Sequence, residues 1–151
     1  MATYAGLTKV GTGAIYNQDF GHFFNLKINL NIATEMAAQT TPAANGYFTI
    51  ADIIEMANWP ARCVPLMGIT EVISPSTAAA TADIGFAGGQ EIEAGFDCDA
   101  TAGTITGDYY GEGAVAAGFI AGDTIDFEVL TANMADGNYN FFILGLDLLA
   151  Q

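Results

Sequence analysis

The chain has 151 residues, with 17 acidic side chains against 3 basic ones and a formal net charge of −14 at pH 7. Charged residues are only 13% of it, about half the share of an ordinary soluble domain, so the charge is sparse but nearly all of one sign. Lys9, Lys27 and Arg62 are the only cations, too few to neutralise a run of phosphates or to bind an anionic membrane.

Residues 1–20 are rich in Gly, Ala and Thr without a clear period. They predict an extended N-terminal arm, leaving 21–151 as one domain. They hold one lysine and no apolar run of seven residues, so no secretory leader is expected. No apolar stretch of 18 residues occurs, so no transmembrane helix is expected either. After a Gly21-His22 turn, Phe24, Leu26, Ile28, Leu30 and Ile32 alternate with Asn25, Lys27, Asn29 and Asn31. Period two predicts a strand with one buried face. Residues 34–45, with Pro42, predict a loop with room for one helical turn. Residues 47–56 fit helix or strand, and Pro60 close behind favours strand character toward Met56. Asn58-Trp59-Pro60-Ala61 predicts a turn.

Residues 63–73 predict a strand, with Pro65 at an edge or bulge. A small-residue loop follows over 74–81, then a short strand, Ala82–Phe86, closed by Ala87-Gly88-Gly89. Residues 91–100 (EIEAGFDCDA) predict an acidic loop or short helical turn, and Thr104–Thr106 with Asp108–Gly113 a hairpin-like excursion. Residues 124–131 alternate again, and Asp136-Gly137 signals a hairpin. The last strand, 139–149, sets Phe142, Leu144, Leu146 and Leu148 on one side and Tyr139, Phe141 and Ile143 on the other. Being apolar on both faces, it is expected to be central or to lie at an interface. Short strands about ten residues apart, punctuated by Gly, Asn and Asp, predict an all-β fold: a single β-sandwich or jelly-roll-like domain behind the arm.

Residue types that carry catalysis are scarce. There is one histidine, His22, and two serines, Ser74 and Ser76, which sit beside Pro75 without a nucleophile-elbow setting. Cys63 and Cys98 are the only thiols. They make no C-x-x-C or zinc spacing and read as buried small hydrophobes, with a single disulfide as the alternative. Asp97 and Asp99, with Glu91 and Glu93 nearby, could present carboxylates to calcium, but a solvated acidic loop is the ordinary reading and no EF-hand pattern is present. Gly11-Thr12-Gly13 and Gly111-Glu112-Gly113 lack the lysine and spacing of a phosphate cradle. No enzyme activity, cofactor or metal site is expected. The aromatics Trp59, Tyr109 and Tyr110 fit either an interface or local packing, whereas Phe24 fits the core.

Ile53–Ser74 (IIEMANWPARCVPLMGITEVIS), Ala80–Gly89 (ATADIGFAGG), Ala116–Val129 (AAGFIAGDTIDFEV) and the hydrophobic strand Asn140–Leu149 form a succession. It resembles the capsid decoration, or cement, proteins of tailed bacteriophages of the marine and cyanophage type. The resemblance implies a β-sandwich or jelly roll and a non-enzymatic virion protein, assembled in the host cytoplasm and bound to the capsid surface. It implies the major capsid protein as partner and a homotrimer as the assembly. Residues 1–20 would then lie against the shell or a neighbouring copy, adding main-chain pairing to a sheet edge. Interface candidates are Tyr4, Leu7, Val10, Ile15, Tyr16 and Phe20 in the arm, with Trp59, Tyr109 and Tyr110. Alternatives are a head-fibre base, a tail protein, or a carbohydrate-binding or adhesion module. All three cations lie in the N-terminal half, while Asp83, Asp97, Asp99, Asp108, Glu112, Asp123, Asp126 and Glu128 lie in the second. An acidic outward coat on the second half is expected, with docking left to the first.

Overall fold

The alternation first seen in the sequence becomes strand β3 (Phe23–Asn31). Leu26, Ile28 and Leu30 are at most 1% exposed, while Asn25, Lys27 and Asn29 stay at the surface. The computed structural model describes residues 3–5, 15–20, 23–39, 46–60, 63–86, 92–109 and 123–147. Around β3 it sets β1 (Thr3–Ala5), β2 (Ile15–Phe20), α1 (Ile32–Ala38), β4 (Ile53–Trp59), β5 (Cys63–Ser74), β6 (Thr81–Phe86), β7 (Glu93–Asp97), β8 (Ile105–Tyr109), β9 (Asp123–Val129) and β10 (Asn138–Asp147). Sheet I has the order β2-β3-β10-β5-β8, and sheet II the order β1-β4-β9-β6-β7. Apart from the parallel β1–β4 pair, every pairing is antiparallel.

Setting β1 and β2 aside, the eight strands β3 to β10 form two four-strand orders. One runs first, eighth, third, sixth, and the other second, seventh, fourth, fifth. That winding is a jelly roll, so the expected all-β sandwich is present in its more specific form. The two sheets bury their facing sides together: Leu26, Ile28, Val72, Tyr139, Phe141 and Ile143 from sheet I, and Ile54, Met56, Ile84, Phe96, Ile125 and Phe127 from sheet II. Tyr139 is the centre of an aromatic cluster, with Phe96 edge-on at 5.3 Å and Phe127 stacked at 6.1 Å. Such pairs add about 0.5–1.5 kcal/mol each beyond the area they bury.

Several local expectations change. The helical turn allowed after β3 is the seven-residue α1, starting at Ile32, because the Asn31 side chain accepts the Thr34 amide at 3.0 Å as N-cap and Ile32 is buried. Asn58-Trp59 is not a turn but the end of β4. Register shifts between Glu55 and Ala57, so Met56 and Ala57 both face the core. The phase reset then carries Trp59 inward as well, as a bulge does. β5 is reset likewise: Gly145 pairs with Pro65 but Leu144 with Met67, leaving Leu66 as the extra residue beside the proline. Residues 93–97, expected as an acidic loop, form β7, because Ile92 and Phe96 have core to fill at 2% exposure.

Asp136-Gly137 is not a two-residue hairpin, since β9 ends in sheet II and β10 begins in sheet I. The crossing is pinned by reciprocal Phe48–Met134 backbone bonds of 2.8 and 2.9 Å and by the Ile32 amide on the Gly137 carbonyl at 3.0 Å. Gly137 has φ +118°, and a Cβ there would collide with the Tyr139 hydroxyl. In place of a hairpin-like excursion, Ile105–Tyr109 is the outer strand of sheet I, paired with β5. Within the stretch expected as an arm, Thr3–Ala5 pairs with Ile53–Glu55, and Ile15–Phe20 pairs with residues 23–27, on this chain's own sheets.

Candidate functional site

The two outer faces of the sandwich differ in chemistry. On sheet I, β10 lies between β3 and β5, and its pairing fixes cross-strand rows: Lys27–Phe142–Ile69, Asn25–Leu144–Met67 and Phe23–Leu146–Val64. Leu26, Phe141 and Ile143 take the core side, so by strand alternation these rows take the outside. Phe23 and Phe142 are 44% and 37% exposed, and Leu144, Leu146, Met67, Ile69 and Val64 are half-buried. The Lys27 ammonium lies 5.2 Å from the centre of the Phe142 ring, a cation–π distance. Above these rows the face turns polar. Asn29 donates to Asn138 and Asn140 at 2.9 and 3.0 Å, and Asn140 donates to Glu71 at 2.9 Å. Glu71 is the one carboxylate among the described side chains of this sheet.

Sheet II carries carboxylates where sheet I carries leucine and phenylalanine. Glu55 stands opposite Asp126, and Asp83 opposite Glu128. Like charges directly opposite each other are unfavourable. Accordingly the Glu128 carboxyl is pushed up, first by burial and then by Asp83. Asp126 is buried at 4% exposure. Among the described side chains, the division of charge therefore runs between sheets as well as between chain halves. Jelly-roll winding deals most successive strands to alternate sheets, so Glu55 from the first half joins the acids, and the apolar β10 from the second half joins Lys27.

Other polar groups are committed to structure. Glu93, on β7 of sheet II, receives the Thr70 hydroxyl at 2.5 Å and the Thr106 hydroxyl at 2.6 Å from sheet I. That clamp turns Glu93 away from Asp97 and Asp99, which form a local turn with the Asp99 amide on Asp97 at 3.3 Å. Hydrogen bonding to Asp97 pushes the Asp99 carboxyl up. No group of three or more His, Cys, Asp or Glu side chains that could hold a metal occurs among the described residues. Cys63 and Cys98 are buried free thiols. Burial, reinforced by Asp97, Asp99 and Glu93, drives the Cys98 thiol far above its ordinary value of 9.0, the opposite of a reactive cysteine. Ser76 donates to Asp136 at 3.2 Å, and His22 lies outside the described residues. No helix of the described chain is long and apolar enough to cross a membrane.

Of the interface candidates, Tyr4 lies in β1, beside β4 in sheet II, and Ile15, Tyr16 and Phe20 lie in β2, beside β3 in sheet I. Tyr109 ends β8 opposite Met67. Leu7, Val10 and Tyr110 lie outside the described residues. Trp59 is 2% exposed; its indole donates to the Cys63 carbonyl at 2.8 Å and its ring meets Phe86 edge-on. Phe142, Leu144 and Leu146 were not among the candidates. Their signal was present in the two-sided apolar run of the last strand.

No protein-family model matches the chain, and no curated protein matches its sequence. Solved structures do. A chain in the capsid of Ralstonia phage GP4 has a TM-score of 0.66 at 14% identity, over 97% of this chain and 98% of that one. A chain in the capsid asymmetric unit of cyanophage Pam1 has a TM-score of 0.59 at 16% identity, over 89% and 91%. At these identities the likeness is one of fold, and it runs nearly end to end.

Proposed function

We propose that the chain is a non-enzymatic structural protein of a tailed-phage virion. In this reading it is a decoration protein that binds the outer surface of a shell of major capsid protein as a homotrimer. The observation that carries the reading is the near end-to-end match of a jelly roll to chains of two phage capsids. The chemistry agrees: the described polar groups are spent on clamps and turns, and the described thiols are buried. A decoration protein adds buried area across seams of the shell, and many copies give avidity that a single contact lacks. The contact residues of this reading are Tyr4, Leu7, Val10, Ile15, Tyr16 and Phe20 of the N-terminal stretch, with Tyr109 and Tyr110. Trp59 is spent on the core.

The test is co-sedimentation with purified shells that lack the protein, beside isolated tails and a polysaccharide panel. Saturable pelleting with shells alone is expected. Protein that stays in the supernatant with shells, or pellets with tails or polysaccharide instead, overturns the reading.

A further inference from the structure

We infer that the outer face of sheet I is where copies of this chain meet. The inference adds a contact surface to the homotrimer of the preceding reading, but it stands on the sandwich itself. A chain with a net charge of −14 repels its own copies at every acidic surface. Sheet II sets Glu55, Asp126, Asp83 and Glu128 in opposed pairs. Sheet I presents Phe23, Met67, Ile69, Phe142, Leu144 and Leu146, with Glu71 its only described carboxylate. A ring of copies with sheet I toward the axis buries this apolar face and keeps the half-buried Glu55, Asp83 and Glu128 of sheet II away from the contact.

Size and charge fit a second copy. Five strands about 4.8 Å apart, some eight residues long at ~3.3 Å each, make a face on the order of 600 Å². A standard interface takes ~800 Å² from each partner, so the face supplies most of such a contact. Among its described side chains the face carries a charge of each sign: Lys27 on β3, held over Phe142 at 5.2 Å, and Glu71 on β5, with β10 between them. Two copies meeting here can therefore set the cation of one near the carboxylate of the other.

The experiment is the solution mass of the full chain by light scattering from 1 to 100 μM, with folding followed by circular dichroism. The wild type is expected at three times the 15.7 kDa of one chain. Phe142→Asp and Lys27→Glu, both on exposed side chains, are expected to stay folded and to weaken assembly by about 30-fold or more, as loss of an interface anchor does. Glu128→Gln, on the other sheet, should leave the mass unchanged. A wild type that stays at one chain mass at 100 μM, or an oligomer that survives the sheet I substitutions, overturns the inference. Should Phe142→Asp unfold, Lys27→Glu decides. An oligomer that breaks as expected yet ignores capsid shells upholds this contact and removes the decoration reading, so the two fail separately.

Discussion

At the scale of single residues, the sandwich is tied together by polar groups as well as by its core. Glu93 reaches from sheet II to two threonines of sheet I. Charge-assisted bonds of this kind are about twice as strong as neutral ones. Thr70 is 1% exposed, so Thr70→Val keeps the shape and removes a donor. The loss should cost about 1–3 kcal/mol in urea unfolding. An unchanged midpoint would mean that the clamp is not closed in solution. Asp136 has a comparable task. It receives the Thr77 amide and hydroxyl, both at 2.8 Å, and the Ser76 hydroxyl at 3.2 Å, and these bonds hold its carboxyl below the ordinary aspartate range. Its contribution is present above pH 3.8 and is lost as pH falls through the depressed folded value. Asp136→Ala should therefore lower the melting temperature at pH 7, and the gap to wild type should narrow as the pH is taken well below 3.8.

At the scale of strands, opposed carboxylates on sheet II make pH a lever of the opposite sign. Glu128 binds its proton more readily folded than unfolded, because burial and Asp83 both oppose its charge. The folded state therefore gains stability as pH falls from neutral toward 4.5, the ordinary value for glutamate. The melting temperature should rise over that interval, and Glu128→Gln should flatten the rise. A wild-type curve that only falls from pH 7 downward would refute this account of the pair. Strand chemistry also explains which elements were legible. β3, β6 and β9 alternate cleanly and read directly from the sequence. β4 does not, because the bulge near Met56 breaks the period and makes Asn58-Trp59-Pro60 look like a turn. β7 failed for a different reason. Its acidic spacing reads as solvated loop until Glu93 finds two threonine hydroxyls on the facing sheet.

At the scale of the whole molecule, the described strands of the first twenty residues extend both sheets: β1 on sheet II and β2 on sheet I. Removing residues 1–20 bares the β3 and β4 edges, which are paired surfaces in the intact chain. The truncated chain should keep its eight-strand core by circular dichroism, melt at lower temperature, and lose occupancy on capsid shells. Full occupancy by the truncated chain would remove this stretch from the shell contact.

The one-signed charge, the scarcity of catalytic side chains and the period-two runs are properties of neighbouring residues, so the chain alone carried the all-β class and turned attention from chemistry to surfaces. The two-sided apolar final strand even hinted at an interface. Which strands share a sheet is a property of distant residues. Only the fold shows that β10 lies between β3 and β5, that Glu55 joins acids from the far half of the chain, and that Asp136-Gly137 spans two sheets rather than one hairpin. The reason is the jelly-roll winding: most successive strands from β3 to β10 change sheet, so proximity along the chain does not predict proximity on a face. The opposition of an apolar face to an acidic one therefore belongs to the tertiary structure.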